Sequence, residues 1–365
     1  MIRFSSSLLA CTLLISVLGP FASSQTPAPG VAFKRISLEH GLPASRVNVI
    51  TQTRDGVMWF GTREGFCKYQ SGGVTVYAPN AGEGATIAGN DVRAIYEDRS
   101  GILWIGLFGG GIYRFDRVSG KLSQYKNDPS ISGTLSDNRV LSILEDKSGT
   151  LWIGTVNGLN TFDRTNLLFS QLPSEDGNPQ SLSETRIWPL CEDRSGDLWI
   201  GTLGGGLNRR DKATGMVTVF RHDPSGSNTL ATNSVVALHA DRSGHLWVGM
   251  ENGGVDEFIH EKDEFDRVRQ EFRHHLHGVN VSSIAEDTAG NILVGTLGSG
   301  LKILDRNTRV ATTVANDSAD GRSLSDNSIR CLFVDAAGTL WVGTETAGIC
   351  VASKDEPRKP AGKKN

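Results

Sequence analysis

The chain has 365 residues, with 37 Lys and Arg against 40 Asp and Glu, for a formal charge of −3. Its body carries neither basic stripes nor long single-sign runs, so nucleic acid is excluded as a partner. At this length a large core forms without cysteine staples, and the composition is that of an exported globular β protein.

Residues 1–24 read as a signal peptide. Arg3 gives the positive start, Leu8 to Leu18 the apolar core, and Ala22-Ser23-Ser24 a small-residue cleavage site before Gln25. The expected location is periplasmic or secreted. The apolar stretch falls short of the roughly 20 residues of a membrane helix, so no stable transmembrane span is expected, an uncleaved anchor being the alternative. At the other end, residues 354–365 form a basic tail with "RKPAGKKN" (Arg358 to Asn365), whose Pro and Gly content predicts disorder.

Between these ends one phrase, G-x-x-W-x-G, recurs around Trp59, Trp104, Trp152, Trp199, Trp247 and Trp341, with Leu293 in the place of a sixth-unit tryptophan. The steps between anchors are 45, 48, 47, 48, 46 and 48 residues. Inside each period lie four short apolar runs separated by Gly, Asp, Asn or Ser. The third unit shows "NRVLSILED", "GTLWIGT", "GLNTFDR" and "LLFSQL". Four antiparallel strands in a period of this size make a propeller blade. The seventh unit supplies three strands, and "VAFKRIS" (Val31 to Ser37) precedes the first unit where every later unit has an outer strand. The prediction is all-β: a seven-bladed β-propeller over 31–353, four antiparallel strands per blade, the last blade closed by the N-terminal strand.

The string "EDRSGILWIGLFGGGIYRFDRVSGKLSQYKNDPSISGTLSDNRVLSILED" (Glu97 to Asp146) resembles the two-component regulator propeller repeat. The likeness recurs in every unit from about Ala32 to Ser353. Members of that family form the periplasmic sensor regions of hybrid histidine kinases. They usually add a second propeller, a small β-sandwich, a membrane span and cytoplasmic kinase and receiver domains. The resemblance therefore implies a signalling module with a histidine-kinase partner.

Asp98, Asp146, Asp193, Asp241, Asp287 and Asp335 recur before Gly in the turn between first and second strands. There a carboxylate serves the turn's own amides better than it serves acid–base chemistry. The tryptophans are expected to fill the wedge between blades. Cys67, Cys191, Cys331 and Cys350 have no zinc or redox spacing and are expected as free, buried thiols. Between the fifth and sixth units the usual long link collapses to "RHHLHG", which brings His274, His275 and His277 together, but no acidic or cysteine ligand stands beside them in sequence. No cofactor is expected.

Recognition is expected on the disc face whose loops differ from unit to unit. Alignment on the first-strand apolar position places Arg46, Arg139 and Arg186 just before it and Arg93, Trp188 and Arg330 just after it. Residues two apart share a side of a strand, so these six converge near one rim. They suit an oligosaccharide, in particular an acidic one, through bidentate hydrogen bonds and ring stacking. The alternative is a solvated rim in which the arginines pair with Asp91, Asp137, Asp326 and Glu184. Two function classes follow. One is a non-catalytic ligand-sensing propeller. The other is a propeller-type polysaccharide lyase or glycosidase, which needs an acid and a base at the mouth. Only Asp91 stands as an acid among the inner-strand starts, His239 lies deeper, and kinase or nucleophile motifs are missing, which favours sensing over catalysis.

Overall fold

The computed structural model describes residues 31–77, 91–174, 178, 180–226, 228–262 and 268–353. The signal-peptide segment (1–24) and the basic tail (354–365) lie outside the described residues.

Seven four-stranded antiparallel sheets are arranged in chain order, numbered here as blades 1 to 7 by their innermost strands, which start at Val47, Val92, Val140, Ile187, Val235, Val281 and Ile329. Blade 3 is representative: Val140–Glu145, Leu151–Thr155, Gly158–Asp163 and Leu168–Gln171 pair in sequence. In blade 7 the order is Ile329–Val334, Leu340–Thr344, Ile349–Ser353 and then Ala32–Ile36. The N-terminal strand pairs Phe33 with Ala352 and Arg35 with Cys350, as the unit count requires. Phe33 and Ile36 are buried, and each buried side chain of this size contributes about 1.5–3 kcal/mol.

The repeated W-x-G explains how the blades pack. Tryptophan and glycine are two residues apart and so face the same neighbour. Trp104 of blade 2 meets Phe162 of blade 3 edge-on at 5.1 Å, and Trp199 meets Phe258 of blade 5 at 5.1 Å. The glycine is there for space. A Cβ at Gly61, Gly106, Gly154, Gly201, Gly249 or Gly295 would lie 2.5–2.8 Å from Val92, Val140, Ile187, Val235, Val281 or Ile329 of the following blade. None of these six glycines has a positive φ; the requirement is steric.

The aspartates of the first turn prove structural and do more than serve their own loop. Asp98 Oδ1 accepts the amides of Ser100 and Ile102, while Oδ2 accepts the Trp104 indole N–H at 2.9 Å. The same indole bond runs from Trp152 to Asp146, Trp199 to Asp193, Trp247 to Asp241 and Trp341 to Asp335, at 2.8–2.9 Å. In blade 6, where the Leu293 side chain has no N–H to give, the Asn291 side-chain amide donates to that oxygen of Asp287. Neighbouring blades are also joined across this face: Glu97 accepts the Arg54 amide, Glu145 that of Arg99 and Glu192 that of Lys147, at 2.7–2.9 Å. The uniform turns are thus occupied with holding the ring together.

Candidate functional site at the channel mouth

On the opposite face, each turn between second and third strands is tied to the chain just before a first strand. The amides of Arg63, Phe108, Val156, Leu203, Glu251, Leu297 and Glu345 donate to the carbonyls of Arg46, Asp91, Arg139, Arg186, Ser234, Asn280 and Ser328. One backbone bond, repeated seven times, thereby sets seven side chains of five different types around the mouth of the channel.

A cavity of about 340 Å³ lies within this ring. Of the six residues predicted from sequence, Arg93, Trp188 and Arg330 line it together, joined by Asn48, Glu251 and the serines 282 and 283. The buried hydroxyls of Ser282 and Ser283 have no hydrogen-bond partner among the described residues. Arg46, Arg139 and Arg186 are not part of the cavity wall.

The arginines carry partners. Arg93 grips Asp91 with two bonds of 2.9 and 2.7 Å and lies over the Phe108 ring at 5.2 Å. Arg139 grips Asp137 in the same way at 2.9 and 2.6 Å. That hydrogen bonding lowers the Asp137 pKa against the opposing effect of burial. Arg186 donates to the Leu203 carbonyl at 2.7 Å and stands 3.5 Å from Glu184. Arg330 and Arg46 share one carboxylate, Glu345, at 2.9 and 3.4 Å, which leaves one cation in surplus on that side. Asp326, a partner expected from sequence, is instead taken by Ser328 and Thr346.

Glu251, Glu345 and Phe108 escaped the sequence reading because they stand far in sequence from the first-strand positions used for alignment. A signal existed: the fourth residue after each repeat tryptophan or Leu293 reads Arg, Phe, Val, Leu, Glu, Leu, Glu. That is the least uniform place beside the most uniform motif.

The histidines behave differently from their sequence appearance. His274 and His275 belong to the outer strand Val268–His275, not to the blade link, and they meet buried acids from the adjoining strand. His274 lies 2.6 Å from Asp256, and His275 lies 3.3 Å from Glu257, which also holds His245 at 2.9 Å and the Arg309 guanidinium. Burial pushes the Glu257 pKa up, but the bonds to His275, Arg309 and His245 and the charge of Arg309 outweigh it and hold the group at about 2. No group of three potential metal ligands is found among the described residues. The four cysteines among the described residues are free, Cys191 half-buried and the others buried. Burial pushes the thiols of Cys67, Cys191 and Cys331 up to about 12.

Six segments, 41–64, 86–109, 134–157, 181–204, 229–252 and 323–346, match the two component regulator propeller repeat. The chain belongs to that family. The unit left unmatched is the one in which Leu293 replaces tryptophan. Among solved structures, this two-component regulator propeller is similar to the extracellular domain of the hybrid two component system BT3049 from B. thetaiotaomicron. The identity is 24% and the TM-score 0.74, over 90% of this chain and 42% of that one. It is also similar to the extracellular domain of BT4673 from the same organism, at 23% identity and TM-score 0.70, over 89% and 40%. The chain thus spans about two-fifths of the length of these structures. Virginiamycin B lyase from Staphylococcus aureus shares the fold at 14% identity and TM-score 0.63, over 88% of this chain and 99% of that one. No curated protein matches. Among the described residues no helix is long and apolar enough to cross a membrane.

Proposed function

We propose that this propeller is a non-catalytic, periplasmic or secreted recognition module. In this reading it binds an acidic oligosaccharide at the channel mouth and passes its occupancy to a histidine-kinase partner. One observation carries the reading: Trp188, Arg93 and Arg330 meet on one cavity, beside the surplus cation created where Arg46 and Arg330 share Glu345. The Trp188 ring supplies a stacking surface for a sugar, the surplus guanidinium suits a uronic carboxylate, and Asn48, Ser282 and Ser283 supply hydroxyl partners. Against the glycosidase alternative, the cavity wall holds a single carboxylate, Glu251, whereas glycoside hydrolysis uses a pair. The family and the extracellular two-component domains of like fold support the signalling role.

Calorimetric titration with a panel of uronic-acid oligosaccharides tests it. Trp188→Ala and Arg330→Ala are expected to weaken binding at least about tenfold while the melting temperature holds. A panel without a binder, or equal affinity in both variants, removes the reading, and cleavage products would replace it with the enzymatic one.

A further inference from the structure

Between blades 2 and 3, away from the mouth, lies a cavity of about 400 Å³ whose wall carries three cations, Arg114, Lys121 and Arg164, and no carboxylate. Trp104, Arg114 and Ser123 are register partners across three strands of blade 2, so their side chains form one row facing blade 3. Arg164 reaches in from blade 3 and is committed, to Asp98 at 2.6 Å and Glu145 at 2.8 Å.

Arg114 is not committed. It is half-buried and makes no hydrogen bond or ion pair among the described residues. Asp116, the acid that senses its charge, already accepts from the amides of Val118 and Ser119 and from the Ser119 hydroxyl. The Lys121 ammonium is likewise unpaired among the described residues.

The seam between blades 4 and 5 shows what blade 2 lacks. There Arg209 faces Trp199 as Arg114 faces Trp104, and Asp197 holds it at 2.7 and 2.5 Å. Asp197 stands two residues before its tryptophan; in blade 2 that position is Ile102. The seam therefore presents half of an ion pair, a guanidinium withdrawn from water without its anion. At the lip, Leu167 is 52% exposed, and Tyr125 forms part of the wall.

We propose that this seam is a second binding site, separate from the channel mouth, for a small organic anion. Its carboxylate or phosphate is held by Arg114 and Lys121, and its apolar or aromatic body lies against Tyr125 and Leu167. The volume is within the range of small-molecule sites.

Benzoate, phenyl phosphate, inorganic phosphate and benzyl alcohol, titrated into the full chain, test the site by calorimetry and by the Arg114 side-chain Nε–H resonance. That resonance is assigned by its loss in Arg114→Ala. At least one aromatic anion is expected to bind and shift the resonance, benzoate and phenyl phosphate distinguishing carboxylate from phosphate. Its affinity should fall about tenfold or more in Arg114→Ala/Lys121→Ala and be unchanged in Arg330→Ala at the mouth. Ile102→Asp, which installs the blade 4 acid, should abolish binding in a chain that still folds. Failure of both aromatic anions to bind by about 10 mM, or unchanged binding in the double variant or in Ile102→Asp, would overturn the site. Loss of binding in Arg330→Ala would overturn its separateness. Equal affinity for inorganic and phenyl phosphate, or binding of benzyl alcohol as tight as that of the anions, would overturn the division into an anionic and an apolar end.

Discussion

Replacing Gly106 by alanine isolates the steric demand that sets the spacing of the ring. The new Cβ would stand 2.5 Å from Val140 Cγ1 and 3.1 Å from Val140 Cβ. Carbon atoms pack best at about 3.5–4.0 Å, so blade 3 must recede by about 1 Å or Val140 must leave its rotamer. Val140 is fully buried within the cluster that joins blades 2 and 3. Overpacking of this kind costs about 1–3 kcal/mol. The opposing gain, from a stiffer unfolded chain, is about 0.4–1 kcal/mol. Overpacking wins, and the net loss should lower the melting temperature by a few degrees, at about 2 °C per kcal/mol for a chain of this size. Val140→Ala alone leaves a hole and also destabilises. Together the two changes exchange volume across the seam, so the double variant should be more stable than the sum of the singles by about 1 kcal/mol. Gly101, with φ +81 and nothing within 4 Å of an added Cβ, is the control. Gly101→Ala should destabilise through its backbone, and Val140→Ala should not rescue it. Thermal melts followed by circular dichroism read the wild type and all five variants, the Gly101→Ala/Val140→Ala double included. If Gly106→Ala melts at or above the wild-type temperature, or the pair is merely additive, the close-approach argument is wrong.

Two further consequences follow from the geometry. The Glu257 pKa lies below its usual 4.5, at about 2, so its contribution to stability is whole above pH 4.5 and fades as pH falls towards 2. Glu257→Gln should be less stable at pH 7, and its gap from wild type in urea midpoint should narrow by pH 3; a gap that stays constant would contradict the assignment. Phe33 shares a buried cluster with Cys350. Phe33→Ala should cost about 3–5 kcal/mol and speed labelling of the Cys350 thiol, whereas unchanged labelling and melting would mean that the N-terminal strand does not secure the last blade.

The ring was legible because the sequence repeats itself. Seven copies of one phrase gave the blade count, and the missing outer strand after "AGICVAS" directed "VAFKRIS" to its place. The site was legible only in part. Of the six rim residues expected from strand alternation, Arg93, Trp188 and Arg330 line one cavity. Such arguments do not measure how far a side chain leans across a mouth, and Arg46, Arg139 and Arg186 do not reach the cavity wall. Glu345, which gathers both Arg46 and Arg330, comes from a turn near the opposite end of the chain from Arg46, so ring closure alone makes that contact. The histidines were misplaced for a similar reason. Blade 5 lengthens its outer hairpin to Gly254–Lys262 and Val268–His275, so what reads as a link is still strand.

Departures from the repeat are therefore the chemically informative positions. Two residues before the tryptophan, blade 4 has Asp197, blade 5 has His245 and blade 2 has Ile102. The residue facing the tryptophan across the hairpin changes in step, to Arg209, Glu257 and Arg114. In blades 4 and 5 the two positions form complementary pairs, at 2.7 Å for Asp197 with Arg209 and 2.9 Å for His245 with Glu257. In blade 2 an aliphatic side chain faces the guanidinium's row. A repeat conserving only its packing would have kept an acid there or dropped the arginine, since a half-buried charge without a partner costs stability. The same reasoning applies at the mouth, where a ring fixed by seven equal backbone bonds holds Phe108, Glu251 and Glu345 at equivalent places. Backbone geometry is held constant at both places while side-chain chemistry is free to differ, and that separation is what would let one ring carry the two sites proposed above.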